Sequence, residues 1–198
     1  MKQMMTLFAC VVLALFAGVA GAIAGVAVGD TAPDFTLEDT TGSNVSPSDF
    51  SGKVVVLEWL NPDCPFVQRH YKAGTMKKLA SKYGEKGVVW LTINSTHYMD
   101  AADNAKFKAA NDLSYTILVD QSGEVGHLYD AATTPHMYVI DGEGKLVYMG
   151  AIDDDPRGNK GSAQRINYVD AALGEVLAGK SVTTAETKPY GCSVKYKK

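Results

Sequence analysis

The chain has 198 residues, 46% of them apolar and 21% charged, the composition of a soluble globular protein with room for one ordinary domain plus extensions. A chain of this length can bury a sizeable core. A formal net charge of -3 excludes a general electrostatic drive toward nucleic acid, and the basic C-terminal cluster "KYKK" reads as a solvated tail.

The opening residues 1–24 read as an export signal. They combine an early Lys2, an apolar stretch from Leu7 to Ala17, and small residues that make Ala20-Gly21-Ala22 or Ala22-Ile23-Ala24 the cleavage motif. The apolar stretch is short beside the roughly 20 residues of a membrane span. Leu7-Phe8-Ala9-Cys10 has too little apolar sequence before it for a lipoprotein box. Cleavage removes Cys10 and leaves Cys64 and Cys192, an even pair in a compartment, periplasmic or extracellular, that permits disulfides.

From Val28 the residues of one domain are expected to run to Lys180, followed by a tail over 181–198 that carries Cys192. The stretch "VGDTAPDFTLEDTTGSNVSPSDFSGK" reads as small strands and turns. Lys53 to Leu60, "KVVVLEWL", is nearly continuous in apolar and β-branched residues, as a buried central strand should be. Val67, Tyr71, Met76, Leu79, Ala80 and Tyr83 then recur at helical intervals, which predicts a helix that begins at Cys64 or Pro65, where proline suits the first helical position. Strands follow at Gly87 to Asn94 and Tyr115 to Asp120, with a helix between them at Asp100 to Ala110 and a short one near Glu124 to Tyr129. The Asp141-Gly142 turn between two alternating runs predicts a hairpin. Ser162 to Ala178 reads as an amphipathic helix with Ile166, Val169, Leu173, Val176 and Leu177 on one face. The order predicts an α/β fold, a mixed central sheet with helices on both faces and a terminal antiparallel hairpin.

The segment "WLNPDCPFVQRHY" places Cys64 at the carboxyl end of the central strand and the amino end of a helix. Chemistry in α/β sheets gathers at strand carboxyl ends, and unpaired N–H groups at a helix start favour a thiolate. Arg69 and His70 add positive potential, and Asp63 opposes it. A cysteine that merely packs in the core is the alternative, but the bracketing prolines and polar Asn61-Pro62-Asp63 point to a turn near the surface. Thr134-Pro135 enters the strand "HMYVID" where no ladder N–H is needed. A cis bond there would turn the preceding backbone toward Cys64, and a plain trans proline at a strand start is the alternative. His136 either lines the same cleft or faces solvent.

This order of elements resembles the thioredoxin fold. The "GDTAPDFTL" and Asp-Cys-Pro motifs resemble the peroxiredoxin superfamily, the alkyl hydroperoxide reductase and thiol-specific antioxidant family. "NPDCPFVQRHY", "TPHMYVIDGEGKLVYMGAIDDDP" and "ETKPYGCSVKYK" are similar to its exported, peroxiredoxin-like members, and the similarity runs from about Val28 to Lys197. The resemblance implies a thiol-dependent oxidoreductase that needs no cofactor. Cys64 is the nucleophile, Cys192 the resolving cysteine, and a dithiol protein of thioredoxin type the external reductant; a homodimer is also within the family's range. The chain departs from the family pattern where Leu57 and Asn61 stand in place of the usual proline and threonine, and no arginine occurs in "TTPHMYVID". Substrate binding then falls to Asn61 and Arg69, with Thr134 and Pro135 beside the cysteine. Val67 stands where a thioredoxin has its second cysteine.

Three functions follow as expectations: reduction of a hydroperoxide, attack on the disulfide of a partner protein, or a non-enzymatic binding module with the two cysteines in a structural bridge. Copper held by Cys64 with His70, His97, His127 or His136 lacks the paired cysteines such sites use. Asp153-Asp154-Asp155 lacks calcium-loop spacing and reads as a solvated turn. No metal site is expected.

Overall fold

The computed structural model describes residues 25–161 and 163–197. The expected export signal, its cleavage motifs and Cys10 lie outside the described residues. Among those described, no helix is long and apolar enough to cross a membrane.

Strands β1 (Leu37–Glu38) and β2 (Asn44–Val45) form a small antiparallel hairpin. Its turn is tied by the Asp39 carboxylate, which accepts from the Thr41 and Ser43 N–H groups at 2.7 and 3.0 Å. The chain then enters β3 (Val55–Trp59), α1 (Pro65–Lys72), α2 (Thr75–Gly84), β4 (Val89–Asn94), α3 (Ala101–Ala110), β5 (Thr116–Val119) and α4 (Glu124–Leu128). After these come β6 (Thr133–Thr134), β7 (His136–Ile140), β8 (Leu146–Gly150), α5 (Tyr168–Leu177) and β9 (Cys192–Ser193).

The central sheet has five strands in the order β5-β4-β3-β7-β8. β3, β4 and β5 run parallel, and β7 and β8 run antiparallel to their neighbours. Because successive strand residues point to opposite faces, β3 divides its side chains between two cores. Val56 and Leu60 face Val67, Met76, Leu79, Tyr83, Val169 and Leu173 from α1, α2 and α5. Val55, Leu57 and Trp59 face Phe35, Val125, Tyr129 and Val194. Helices therefore cover both faces of this thioredoxin-like sheet, as the sequence implied. Each fully buried Val, Leu or Ile contributes about 1.5–3 kcal/mol, so β3 is the anchor on which the following turn is built.

Five expectations require correction. The helix expected to run unbroken from Cys64 to Tyr83 is two helices, because Gly74 adopts φ 69 and bends the chain between α1 and α2. The last helix starts at Tyr168, where the Asn167 side chain accepts from the Asp170 N–H at 2.8 Å and caps it. Ile166 and Leu177, placed on its buried face by the sequence, are exposed. The acidic turn is not solvated: Asp153 and Asp155 are buried, and the Asp155 carboxylate accepts from the Asn159 and Lys160 N–H groups at 3.0 and 3.1 Å. The C-terminal segment is not a loose tail, because β9 pairs with β6 and Val194 is buried in the second core.

Candidate active site

β3 ends at Trp59, and the chain turns through Asn61-Pro62-Asp63 before α1. Asn61 is buried and holds that turn: its side-chain Oδ1 accepts from the Asp63 N–H at 2.8 Å, and the Tyr98 hydroxyl donates to the Asp63 carboxylate at 3.2 Å. The Cys64 N–H donates to the Asn61 carbonyl at 3.0 Å, which fixes the cysteine as the N-cap of α1 with Pro65 in the first helical position. Cys64 is thus at a strand end and a helix start, as its neighbours in sequence implied, but its side chain is only 1% exposed.

What covers it is the C-terminal segment. β9 lies antiparallel to β6, with Thr134 opposite Cys192 and Thr133 opposite Ser193. Gly191 makes this approach possible. It sits at φ 147, and a Cβ there would run into the Thr134 carbonyl, so the position requires glycine on both counts. Thr134 and Pro135 are joined by a cis peptide bond. The Cys64 S–H donates to the Thr134 carbonyl at 2.9 Å.

The two thiols are neighbours with opposite tendencies. Burial alone would raise the Cys64 pKa, but the Cys192 thiol, the Thr134 hydroxyl, and the Val67 and Cys192 N–H groups, as donors to a thiolate, outweigh it and lower the pKa. Burial, and then the hydrogen bond and charge of Cys64, push Cys192 up to about 11. The Thr134 hydroxyl is buried and has no hydrogen-bond partner while Cys64 is a thiol, so it is a donor ready for the thiolate. A thiol of lowered pKa beside a thiol of raised pKa is an arrangement a dithiol-disulfide cycle can use.

Cys64, Cys192, Thr134 and Pro135 come together. Arg69 is turned elsewhere: its guanidinium donates to the Asp155 and Pro156 carbonyls at 2.9 and 3.1 Å and lies 3.4 Å from the Tyr190 hydroxyl. His136 neither lines the cleft nor faces solvent. It is buried, its Nδ1 accepts from the Ala132 N–H at 3.3 Å, and burial pushes its pKa down to about 4.

Sequence reasoning missed the residues that seat Cys192. The Tyr190 hydroxyl donates to the Asp153 carboxylate and meets His70 Nε2 at 3.0 Å. Asp153 is further faced by Arg165, whose Nε lies 3.6 Å away. At the other end the Tyr196 hydroxyl donates to the Ala131 carbonyl at 2.7 Å, and its ring stacks on His127 at 4.0 Å. Glu58 in β3 was also passed over; it is wholly buried and accepts from Trp90 Nε1 and the Tyr71 and Thr92 hydroxyls at 2.9, 3.0 and 3.2 Å. An acid inside an otherwise apolar strand was its signal. Among the described residues, no three His, Cys, Asp or Glu side chains cluster as a metal site.

Fold and cysteine pair together define a thioredoxin-fold thiol oxidoreductase. More specifically, the AhpC/TSA family model matches residues 28–149, and the chain belongs to that family. The thiol-disulfide oxidoreductase ResA of Bacillus cereus is 27% identical over 156 residues, which cover 74% of this chain and 88% of the relative. A hypothetical protein from Sinorhizobium meliloti superposes with a TM-score of 0.78 at 28% identity, covering 88% of this chain and 97% of its own. An uncharacterized conserved protein from Geobacillus kaustophilus does so with a TM-score of 0.77 at 32% identity, covering 86% and 93%.

Proposed function

We propose that the protein is an exported thiol-disulfide oxidoreductase that cycles between a Cys64 thiolate and a Cys64–Cys192 disulfide. The placement of Cys192 opposite Thr134, whose carbonyl accepts from the Cys64 S–H at 2.9 Å, carries the proposal. The Cys64 thiolate attacks one sulfur of a substrate disulfide and expels the other as a thiolate, leaving a mixed disulfide on Cys64. Cys192 then attacks the Cys64 sulfur and expels the remaining substrate thiolate, while the Cys192 proton passes to a departing sulfur. The substrate gains two electrons and the protein holds one disulfide. A dithiol protein of thioredoxin type reverses the sequence and restores the enzyme.

The name of the Bacillus cereus relative supports a disulfide as the electrophile. The export signal read at residues 1–24 supports work outside the reducing cytoplasm. A hydroperoxide is the alternative electrophile, favoured by the AhpC/TSA match. Against it, the Arg69 guanidinium is committed to Asp155, Pro156 and Tyr190.

Reduced Cys192→Ser protein decides between the two. Glutathione disulfide should convert Cys64 to a stable mixed disulfide, visible by mass, faster than equimolar hydrogen peroxide converts it to sulfenic acid. The reverse order of rates would make the protein a peroxidase. Rates no better than a free thiol with both reagents would remove the catalytic assignment.

A further inference from the structure

The backbone immediately before Pro135 is occupied by the chain itself. The Tyr196 hydroxyl donates to the Ala131 carbonyl at 2.7 Å, and the Val194 N–H donates to the Ala132 carbonyl at 3.2 Å. Ser193 and Cys192 pair with Thr133 and Thr134, and Gly191 leaves no room for a Cβ against the Thr134 carbonyl. Every residue from Ala131 to Thr134 is thus engaged by residues 191–196. On its far side the segment is fastened to the 95–99 loop, where the His97 N–H donates to the Lys195 carbonyl at 3.0 Å.

Two aromatic anchors hold the ends. Tyr190 sits between Asp153, His70 and Arg69. Tyr196 lies against Gly123 and Gly126, where an added Cβ would meet its ring. Between the anchors Cys192 is half-buried and Cys64 is closed over. Nothing in the fold needs β9 to complete the central sheet, which already has its five strands. The segment instead satisfies a short free edge beside the reactive sulfur, the kind of edge to which extended peptides add as a strand.

We propose that residues 190–196 are a tethered strand that occupies the docking edge Ala131–Thr134 and shuts it to the extended segment of a protein bearing a disulfide. Such a segment reaches Cys64 only after displacing the strap, whereas a small disulfide needs only a local opening at Cys192. The strap therefore sets specificity: it charges protein substrates the cost of its release and leaves small ones nearly untouched. Their apparent rates fall by the fraction of time the edge is free. The proposal rests on the disulfide chemistry above, since it concerns which disulfides gain access to Cys64.

The test uses reduced Cys192→Ser protein, in which adducts on Cys64 persist, with glutathione disulfide as the small probe and insulin as the protein probe. Tyr196→Ala removes one anchor while leaving Cys64, Thr134 and Pro135 unchanged. Insulin adducts should form roughly tenfold faster or more, and glutathione adducts no more than about threefold faster. Gly191→Ala, which forces the strap off Thr134 from its other end, should shift the same ratio if Tyr196→Ala fails to fold. An unchanged insulin-to-glutathione ratio in both folded variants overturns the strap as a specificity device, even where glutathione still reacts rapidly. Failure of glutathione to react at all would instead overturn the oxidoreductase assignment.

Discussion

Glu58 and Cys64 belong to the same run of chain, β3 and the turn that follows it, and both are almost completely buried. Both are met by several hydrogen-bond donors. Yet Glu58 is pushed up to about 7, burial outweighing the donors Trp90, Tyr71 and Thr92, while Cys64 is lowered because its donors outweigh burial. The difference is one of position. Glu58 faces the middle of a sheet, with apolar layers around it and the charge of a carboxylate to hide. Cys64 lies at the strand's end, where the N–H groups of a helix start, a threonine hydroxyl and a second thiol converge. Burial alone does not decide the ionisation of a group; the density of donors that can follow its charge does.

The largest effect is expected at the Glu58 end of the comparison. Folded Glu58 keeps its proton up to about pH 7, whereas the ordinary value is 4.5. The folded state therefore binds more protons across that window, so stability is greatest below 4.5, falls as pH rises toward 7, and is level above it. His70 and His136 slope the other way. Burial pushes both down to about 4 from 6.5, against Asp153 in the case of His70 and with Arg69 and Arg165 adding to it, so their contribution is lost as pH falls below 6.5. Glu58→Gln removes only the first slope. Denaturant midpoints of the two proteins should diverge in favour of the variant between pH 4.5 and 7, by on the order of 3 kcal/mol at most, and then run parallel. Parallel curves throughout would mean that Glu58 is ionised in the folded protein.

Next in size is the contrast between the two thiols. At neutral pH iodoacetamide should label Cys64 at least about tenfold faster than Cys192 once the strap's slower opening is allowed for by comparing pH profiles, because the Cys64 profile rises at lower pH. The asymmetry depends on the Cys192 thiol as a donor. Cys192→Ser keeps a donor and should leave the Cys64 profile near that of the parent, while Cys192→Ala should move it to higher pH. Identical profiles for the serine and alanine variants would show that the lowering comes from the Thr134 hydroxyl and the backbone N–H groups without the Cys192 side chain.

How much of this could be read in the sequence follows the range of the contacts. β3, the proline-flanked cysteine and the hairpin after Ile140 depend on neighbours in the chain, and each is found where it was expected, although the hairpin's connection spans residues 141–145 and its left-handed glycine is Gly144, at φ 79, and not Gly142. The break at Gly74 is local too, but glycine within a helical pattern is compatible with continuation, and only its left-handed φ reveals the bend. Cys192 was recognisable as a partner for Cys64, but its placement was not. It depends on Tyr190 finding Asp153 and His70, on Tyr196 finding Ala131, and on Gly191 meeting Thr134, all of them distant in sequence. The same holds for Asp153, which looks like a surface acid until Tyr190 and the Arg165 side chain close over it. Arg69, a natural candidate for the charge beside the cysteine, satisfies backbone carbonyls instead, and no local pattern distinguishes the two uses.

The smallest effect is expected at Thr134, where catalysis and stability should separate. Its hydroxyl is buried without a partner beside the protonated thiol, a state that carries a desolvation cost and no compensating bond. Thr134→Val keeps the β-branched shape and the β6 backbone, and removes the unpaired group. Folding stability should be unchanged or rise by about 1 kcal/mol. The Cys64 thiolate, however, loses one of its donors, so the alkylation profile should move to higher pH and the rate with glutathione disulfide at pH 7 should fall by roughly threefold to tenfold. Thr134→Ser restores the hydroxyl and should restore the rate. A valine variant that is both less stable and fully reactive would place the hydroxyl's role in holding β6 against β9, and would leave the helix start and Cys192 as the groups that make Cys64 a nucleophile.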